Sequence, residues 1–151
     1  MEEGTLIYID KLESSESIRL FARIGSRYST LHATAPGKVM LAFGGEELLH
    51  NLLKKVGLKR FTEKTITERK ALERELEKIK KRGWAFDDEE VRIGVRRIAS
   101  PIFDYKGKLA GVVGIAGPIF RITLEKKEKF GRLVKEMADK ISGELGFQKE
   151  G

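Results

Sequence analysis

Residues 83–104 read GWAFDDEEVRIGVRRIASPIFD, and the fold of the 151-residue chain depends on how that stretch is parsed. Trp84 and Phe86 alternate with other residues as on a strand, four acids follow from Asp87 to Glu90, and residues 91–103 form a long β-prone run carrying Arg92, Arg96 and Arg97. Carboxylates feeding a strand that carries arginines are costly to bury without partners. A chain that needed only a core would have no use for them. The stretch therefore reads as the wall of a polar pocket in an α/β domain, with Asp87 facing inward beside Trp84 and Phe86. Adjacent strand residues point to opposite faces, so at most one of Arg96 and Arg97 readily faces a given cavity. There it is either a bidentate receptor for a carboxylate or a surface arginine on an edge strand.

Downstream, residues 104–108 (DYKGK) are a turn with Gly107 placed for a positive φ. Residues 109–116 (LAGVVGIA) are a strand that Gly117-Pro118 breaks. Glycine weakens a strand interior unless a backbone or ligand must come close. Gly111, Gly114 and Ala116 thus either leave room for a small ligand or pack under the last helix. That helix opens at Thr123, keeps Phe130, Val134, Met137, Ile141 and Leu145 in register, and ends at Gly146.

Upstream, a helix capped by Thr67 carries Leu72, Leu76 and Ile79 at i, i+4 and i+7 and ends at Gly83. Residues 46–56 form another, with Leu48, Leu49, Leu52, Leu53 and Val56 as its stripe and Gly57 as its stop; residues 58–67 are a loop. Residues 37–43 form a short apolar helix, with Pro36 at the first helical position after Thr34 or Ala35 and Gly44-Gly45 at its end. Residues 5–10 and 18–24 read as an antiparallel strand pair, with Ile18, Leu20, Ala22 and Ile24 on one face, Phe21 on the other, and a polar loop over residues 25–30. The order is β-β-α-α-α-β-β-α, a single α+β domain in which helices flank an antiparallel sheet.

Composition narrows the function classes. Hydrophobic residues make up 40% of the chain, which is a globular content. Cysteine is absent, which removes disulfides, thiolate catalysis and cysteine-ligated zinc. No apolar run reaches membrane-spanning length and no secretory pattern opens the chain, so a soluble, cytoplasmic protein is expected. Lys and Arg number 30 against 23 Asp and Glu, a formal charge of +7. Most of that charge lies on mixed Lys/Glu helix faces such as TERKALERELEKIKKR, a pattern of solvated, ion-paired helices rather than of a nucleic-acid surface.

Residues 32–38, HATAPGK, end in a glycine-lysine pair entering a helix, but a phosphate loop needs glycine where His32 stands. The free amides from Gly37 onward either hold a carboxylate or phosphate or belong to an ordinary capped helix. The acids 87–90 match no calcium-loop spacing, and two histidines in the whole chain cannot build a histidine-rich metal site. These acids are either a working cluster or a solvated turn paired with Arg92, Arg96 or Arg97. No activated Ser, Cys or Lys stands at a diagnostic spacing from a base, so no catalytic residue, metal or cofactor is expected.

HATAPGKVMLA, GWAFDDEEVRIGVRRIASPIFD and GKLAGVVGIAGPIFRIT, in that order, resemble the effector-binding domain of the IclR family of transcription regulators. The resemblance covers essentially the whole chain. It implies a GAF-like fold, a homodimer or dimer of dimers, no catalysis, and a small organic or aromatic acid as effector. It also implies DNA contact only through an amino-terminal winged helix-turn-helix domain, which, with the linker helix and the first strand of the effector domain, is expected to be missing here. Carried over by position, the pocket comprises Ala35, Pro36 and Gly37 at a helix start, Asp87 as an acidic wall residue, and Ile18, Phe21 and Val95 as apolar wall. Arg97 stands where several relatives have cysteine, and Gly114 and Ala116 where some have serine. The effector expected from these departures is anionic, held by the Gly37 amide and Arg97, with Asp87 accepting from a hydroxyl. The alternative is a purely structural dimerisation domain whose pocket Arg97 fills by pairing with Asp87. An enzyme using Asp87 and His32 ranks last.

Overall fold

A hairpin and the turn that follows it carry the architecture. The computed structural model describes residues 5–13, 15, 23–28 and 30–150. Strand β3 (Ala85–Asp88) pairs antiparallel with β4 (Val95–Phe103), and β4 pairs antiparallel with β5 (Leu109–Pro118), giving the sheet order β3-β4-β5. A separate two-residue pair joins β1 (Leu6–Ile7) to β2 (Arg27–Tyr28). The helices are α1 (Ala35–Phe43), α2 (Glu46–Lys55), α3 (Arg69–Arg82) and α4 (Lys127–Glu144). The fold is α+β with helices on both faces of an antiparallel sheet, as expected, but the order is β-β-α-α-α-β-β-β-α.

The extra strand arises because the stretch 83–104, counted as one strand in the expected order, holds two strands joined by a turn. The chain reverses between Glu89, whose φ is 57°, and Gly94, whose φ is 84°, so β4 begins at Val95 rather than at residue 91. The acids 87–90 thus sit at a hairpin end. Its register places Asp87 opposite Arg97 and Asp88 opposite Arg96.

Each face of the sheet has its own core. Ala85 and Ala99 face α1 and α3 and pack with Leu31, Ala35, Val39, Leu72, Leu76 and Ile79. Trp84, Phe86 and Ile98 face the other way, against Ile122 and Val134 with Phe130 beside them. Period-two alternation thus separates Asp87 from Trp84 and Phe86, correcting the expectation that the three are neighbours. Gly131 lets α4 seat on the Trp84 indole: a Cβ there would lie 2.3 Å from the ring.

Several boundaries moved for local reasons. Thr34 caps α1 by accepting from the Gly37 amide, which makes Ala35 the first helical residue and Pro36 the second. Thr67 does not cap α3; its hydroxyl accepts from Arg60, and the cap position is Glu68. The residues from Thr123 to Lys126 form a turn ahead of α4 rather than its first turn. Gly117 and Pro118 end β5 from inside it, proline being tolerated at the last position of an edge strand. Of the strand expected over residues 18–24, residues 18–22 lie outside the described residues, and Ile24 sits exposed in a turn leading to β2.

Candidate functional site

Asp87, Arg97 and Ala116 are cross-strand neighbours on the α1 face, one row along from Ala85, Ala99 and Gly114. Val95, two residues before Arg97, shares that face and is buried. The Asp87 side chain is fully buried, and the half-buried Arg97 donates from Nη1 to Asp87 Oδ2 at 2.6 Å. The other Asp87 oxygen, Oδ1, accepts from the Glu90 backbone amide at 2.9 Å. Burial pushes the Asp87 carboxyl above its ordinary range, and the Arg97 guanidinium and the Glu90 amide pull it part of the way back. A guanidinium offers five N–H donors. Among the described residues only Nη1 has a side-chain partner.

Arg96 does different work on the opposite face. Its Nε donates to Asp88 at 2.8 Å and its Nη1 to the Ile122 carbonyl at 3.0 Å, pinning the β5–α4 connection to the sheet. The two arginines divide between the faces, as the alternation requires, and neither is an unpaired surface residue.

The start of α1 packs in the same cluster as Ala85 and Ala99, through Ala35. Gly37 is required there by packing: a Cβ would stand 2.3 Å from the Leu31 carbonyl oxygen, a backbone atom. Its amide is occupied by Thr34 Oγ1 at 3.1 Å, so a ligand would find that donor engaged. Pro36 has no N–H to offer. Gly114 is likewise explained by its own sheet, since a Cβ would meet the Ile98 carbonyl at 2.6 Å. Ala116 is exposed on the same face. Ile18 and Phe21 lie outside the described residues.

Composition and spacing missed a second charged pair. Lys38 is buried, and its Nζ lies 2.7 Å from the Glu90 carboxylate and donates to the Phe86 carbonyl at 3.0 Å. Glu90 Oε2 also accepts from the Asp88 amide at 3.1 Å, and Oε1 lies 2.7 Å from the same Lys38 ammonium. Burial pushes the Glu90 carboxyl up to about 7 against the pull of Lys38. A signal was present for Lys38: it falls three residues after Ala35 and four before Ala42, on the buried stripe of α1. Among the four acids nothing distinguished Glu90. The arginine pairing expected of residues 87–90 is met by Asp87 with Arg97 and Asp88 with Arg96, while a solvated turn describes only the middle pair, where Lys64 bridges Asp88 and Glu89.

Two grooves flank this arrangement. One, of about 430 Å³, is lined in part by Lys38, Phe86, Asp88, Glu90 and Lys127. The other, of about 750 Å³, lies between α1, α2 and α3. Neither is lined by Asp87 or Arg97. His32 is buried, its Nε2 at 2.8 Å from the Lys59 carbonyl, and burial pushes its imidazole down. Among the described residues no group of three or more His, Cys, Asp or Glu could hold a metal ion.

Comparison with known proteins fixes the family. Residues 1–143 match the family described as "Bacterial transcriptional regulator IclR C-terminal". The HTH-type transcriptional regulator KdgR of Escherichia coli (strain K12) is 35% identical over 147 residues, which is 97% of this chain and 56% of that protein. The chain spans about half the length of the curated relatives it matches. The crystal structure of the Thermotoga maritima IclR is 43% identical, with a TM-score of 0.87, covering 97% of this chain and 59% of that one. At 22% identity and a TM-score of 0.75 the fold alone is shared with the inducer-binding domain of the PobR transcription factor from Acinetobacter, solved as a double mutant with 3-hydroxybenzoic acid; 92% of this chain and 86% of that one are covered. The named relatives are transcription regulators rather than enzymes. The chain belongs to the IclR family of transcriptional regulators and corresponds to their C-terminal regulatory domain.

Proposed function

We propose that this domain senses a small organic acid on the α1 face of its sheet, with Arg97 as the principal anchor. The observation that carries the reading is a guanidinium held by a buried carboxylate. Asp87 fixes Arg97 through one nitrogen and leaves the rest of a planar fork that suits a carboxylate. Asp87, whose Oδ1 takes the Glu90 amide, is in this reading also the acceptor for a ligand hydroxyl. Ala35, Pro36 and the positive end of α1, Val95, Gly114 and Ala116 form the remaining wall. The PobR domain, which shares the fold, was solved with an aromatic hydroxy acid, and that supports the same ligand class here. In the whole regulator the domain acts as a homodimer or dimer of dimers in the cytoplasm, and DNA is contacted through an amino-terminal winged helix-turn-helix domain. No described helix is long and apolar enough to cross a membrane.

A thermal-shift panel of pyruvate, lactate, succinate, benzoate and 3-hydroxybenzoate tests the reading. An acid at 100 times its dissociation constant adds about 2.7 kcal/mol, a shift of several degrees. The 2.6 Å Asp87–Arg97 pair and the absence of both residues from the two grooves favour a second reading, a structural dimerisation domain with its pocket filled. A flat panel together with a stable dimer would select it.

A further inference from the structure

Lys38 and Glu90 form a buried ion pair that ligand contact does not require. Two apolar side chains of similar volume often serve stability as well as such a pair does. What an ion pair adds is direction. The Lys38 ammonium reaches both the Glu90 carboxylate, at 2.7 Å, and the Phe86 carbonyl, at 3.0 Å, so α1 is tied to the outer edge of β3 and to the turn beyond it. Glu90 Oε2 closes that turn by accepting from the Asp88 amide at 3.1 Å. Thr65 holds the turn from the α2–α3 connection by donating to the Glu90 carbonyl. The Glu90 amide then donates to Asp87 Oδ1 at 2.9 Å, and Asp87 Oδ2 receives Arg97 at 2.6 Å. A continuous chain of hydrogen bonds thus runs from a cation on α1 to a cation on β4, and the buried Asp87 carboxyl has no other side-chain partner among the described residues.

We propose that Lys38 and Glu90 are positioning residues for the Asp87–Arg97 site: their pair fixes the 87–90 turn, and the charge on Glu90 sets how Asp87 presents to Arg97. The proposal deepens the effector reading above and rests on it for its biological use. The charged groups facing Glu90 are Lys38 from α1 and Asp87 from β3; the groove it lines adds Asp88 from β3, Lys64 from the α2–α3 connection, Glu75 from α3 and Lys127 from α4. Burial places the Glu90 transition at about 7, so the pair makes and breaks near neutrality. Protonated Glu90 no longer attracts Lys38 as an anion, and the turn that carries Asp87 loosens from α1.

The test is a ligand-free NMR titration of the intact chain from pH 5 to pH 9. It follows the Glu90 side-chain carboxyl carbon and the Arg97 Nε–Hε signal in the wild type and in Glu90→Gln, whose amide oxygen still accepts from Lys38 and preserves the fold. The expected result is an Arg97 signal that moves with the midpoint of the Glu90 carbon, and that loses this midpoint in Glu90→Gln. An Arg97 signal indifferent to the Glu90 transition, or one with an unchanged midpoint in Glu90→Gln, would overturn the positioning role. Because no ligand is present, the outcome is independent of the acid panel, whose failure would strike the effector reading alone.

Discussion

Lys38 carries its ammonium along an apolar helix to reach Glu90, and that route decides what its removal does. Lys38→Met leaves a carboxylate buried without its cation, a change that costs on the order of 3–5 kcal/mol. Protonation of Glu90 relieves part of the cost, so the loss measured by urea unfolding is smaller at pH 5 than at pH 8. Adding Glu90→Leu to Lys38→Met removes both charges and recovers most of the stability. The same physics explains why this pair was hidden in the sequence. A lysine on a buried stripe is a visible anomaly, but which of four consecutive acids meets it depends on a turn, and the turn is set by the backbone at Glu89 and Gly94. Asp87 and Arg97 were easier to single out, because strand alternation restricts which arginine can share a face with which acid. Their direct pairing stood in the sequence only as one of two alternatives.

At the scale of elements, two glycines are fixed by contacts that a methyl group cannot avoid. Gly37→Ala drives its Cβ to within 2.3 Å of the Leu31 carbonyl oxygen, and backbone cannot yield as a flexible side chain can. We expect a loss of at least about 1–3 kcal/mol by chemical denaturation, the range for overpacking. Gly131→Ala sets a gain in helix propensity of about 0.5–1 kcal/mol against a clash with the Trp84 ring. Overpacking wins, so the variant is less stable and its tryptophan fluorescence shifts. The helices were legible from periodicity and from the glycines that end them, Gly83 at φ 84° and Gly146 at φ 87°. Their starts were less so, because a threonine near a helix start caps it at Thr34 and does not at Thr67, where Arg60 takes the hydroxyl. The stretch 83–104 was recognised as β but parsed without its first strand, since Val91 to Ile93 carry strand-forming residues whose conformation Gly94 overrides.

For the whole molecule the buried carboxyls set the pH response. Glu90 has a transition raised from 4.5 to about 7 in the folded state, so the native chain binds more protons than the unfolded one between those values. Its contribution is therefore fully present below pH 4.5 and is lost as pH rises to about 7, an effect on the order of 3 kcal/mol. Asp87, raised by burial, acts in the same direction. Asp88 acts oppositely and at lower pH, because the Arg96 and Lys64 partners outweigh its burial and hold its carboxyl low. Urea midpoints measured from pH 4.5 to pH 8 should fall with rising pH in the wild type and flatten in Glu90→Gln. Family membership was the most legible property at this scale, since three motifs in order across the chain specify a fold that no single motif does.

The claim that organises the molecule is that Arg97 is an anion receptor braced by Asp87. Isothermal titration of the domain with the five-acid panel, in the wild type and in Arg97→Gln, tests it most directly. The account predicts saturable binding of one acid class by the wild type and at least tenfold weaker binding by Arg97→Gln. A carboxylate that binds both proteins equally, or a wild type that binds none of the five, would contradict it.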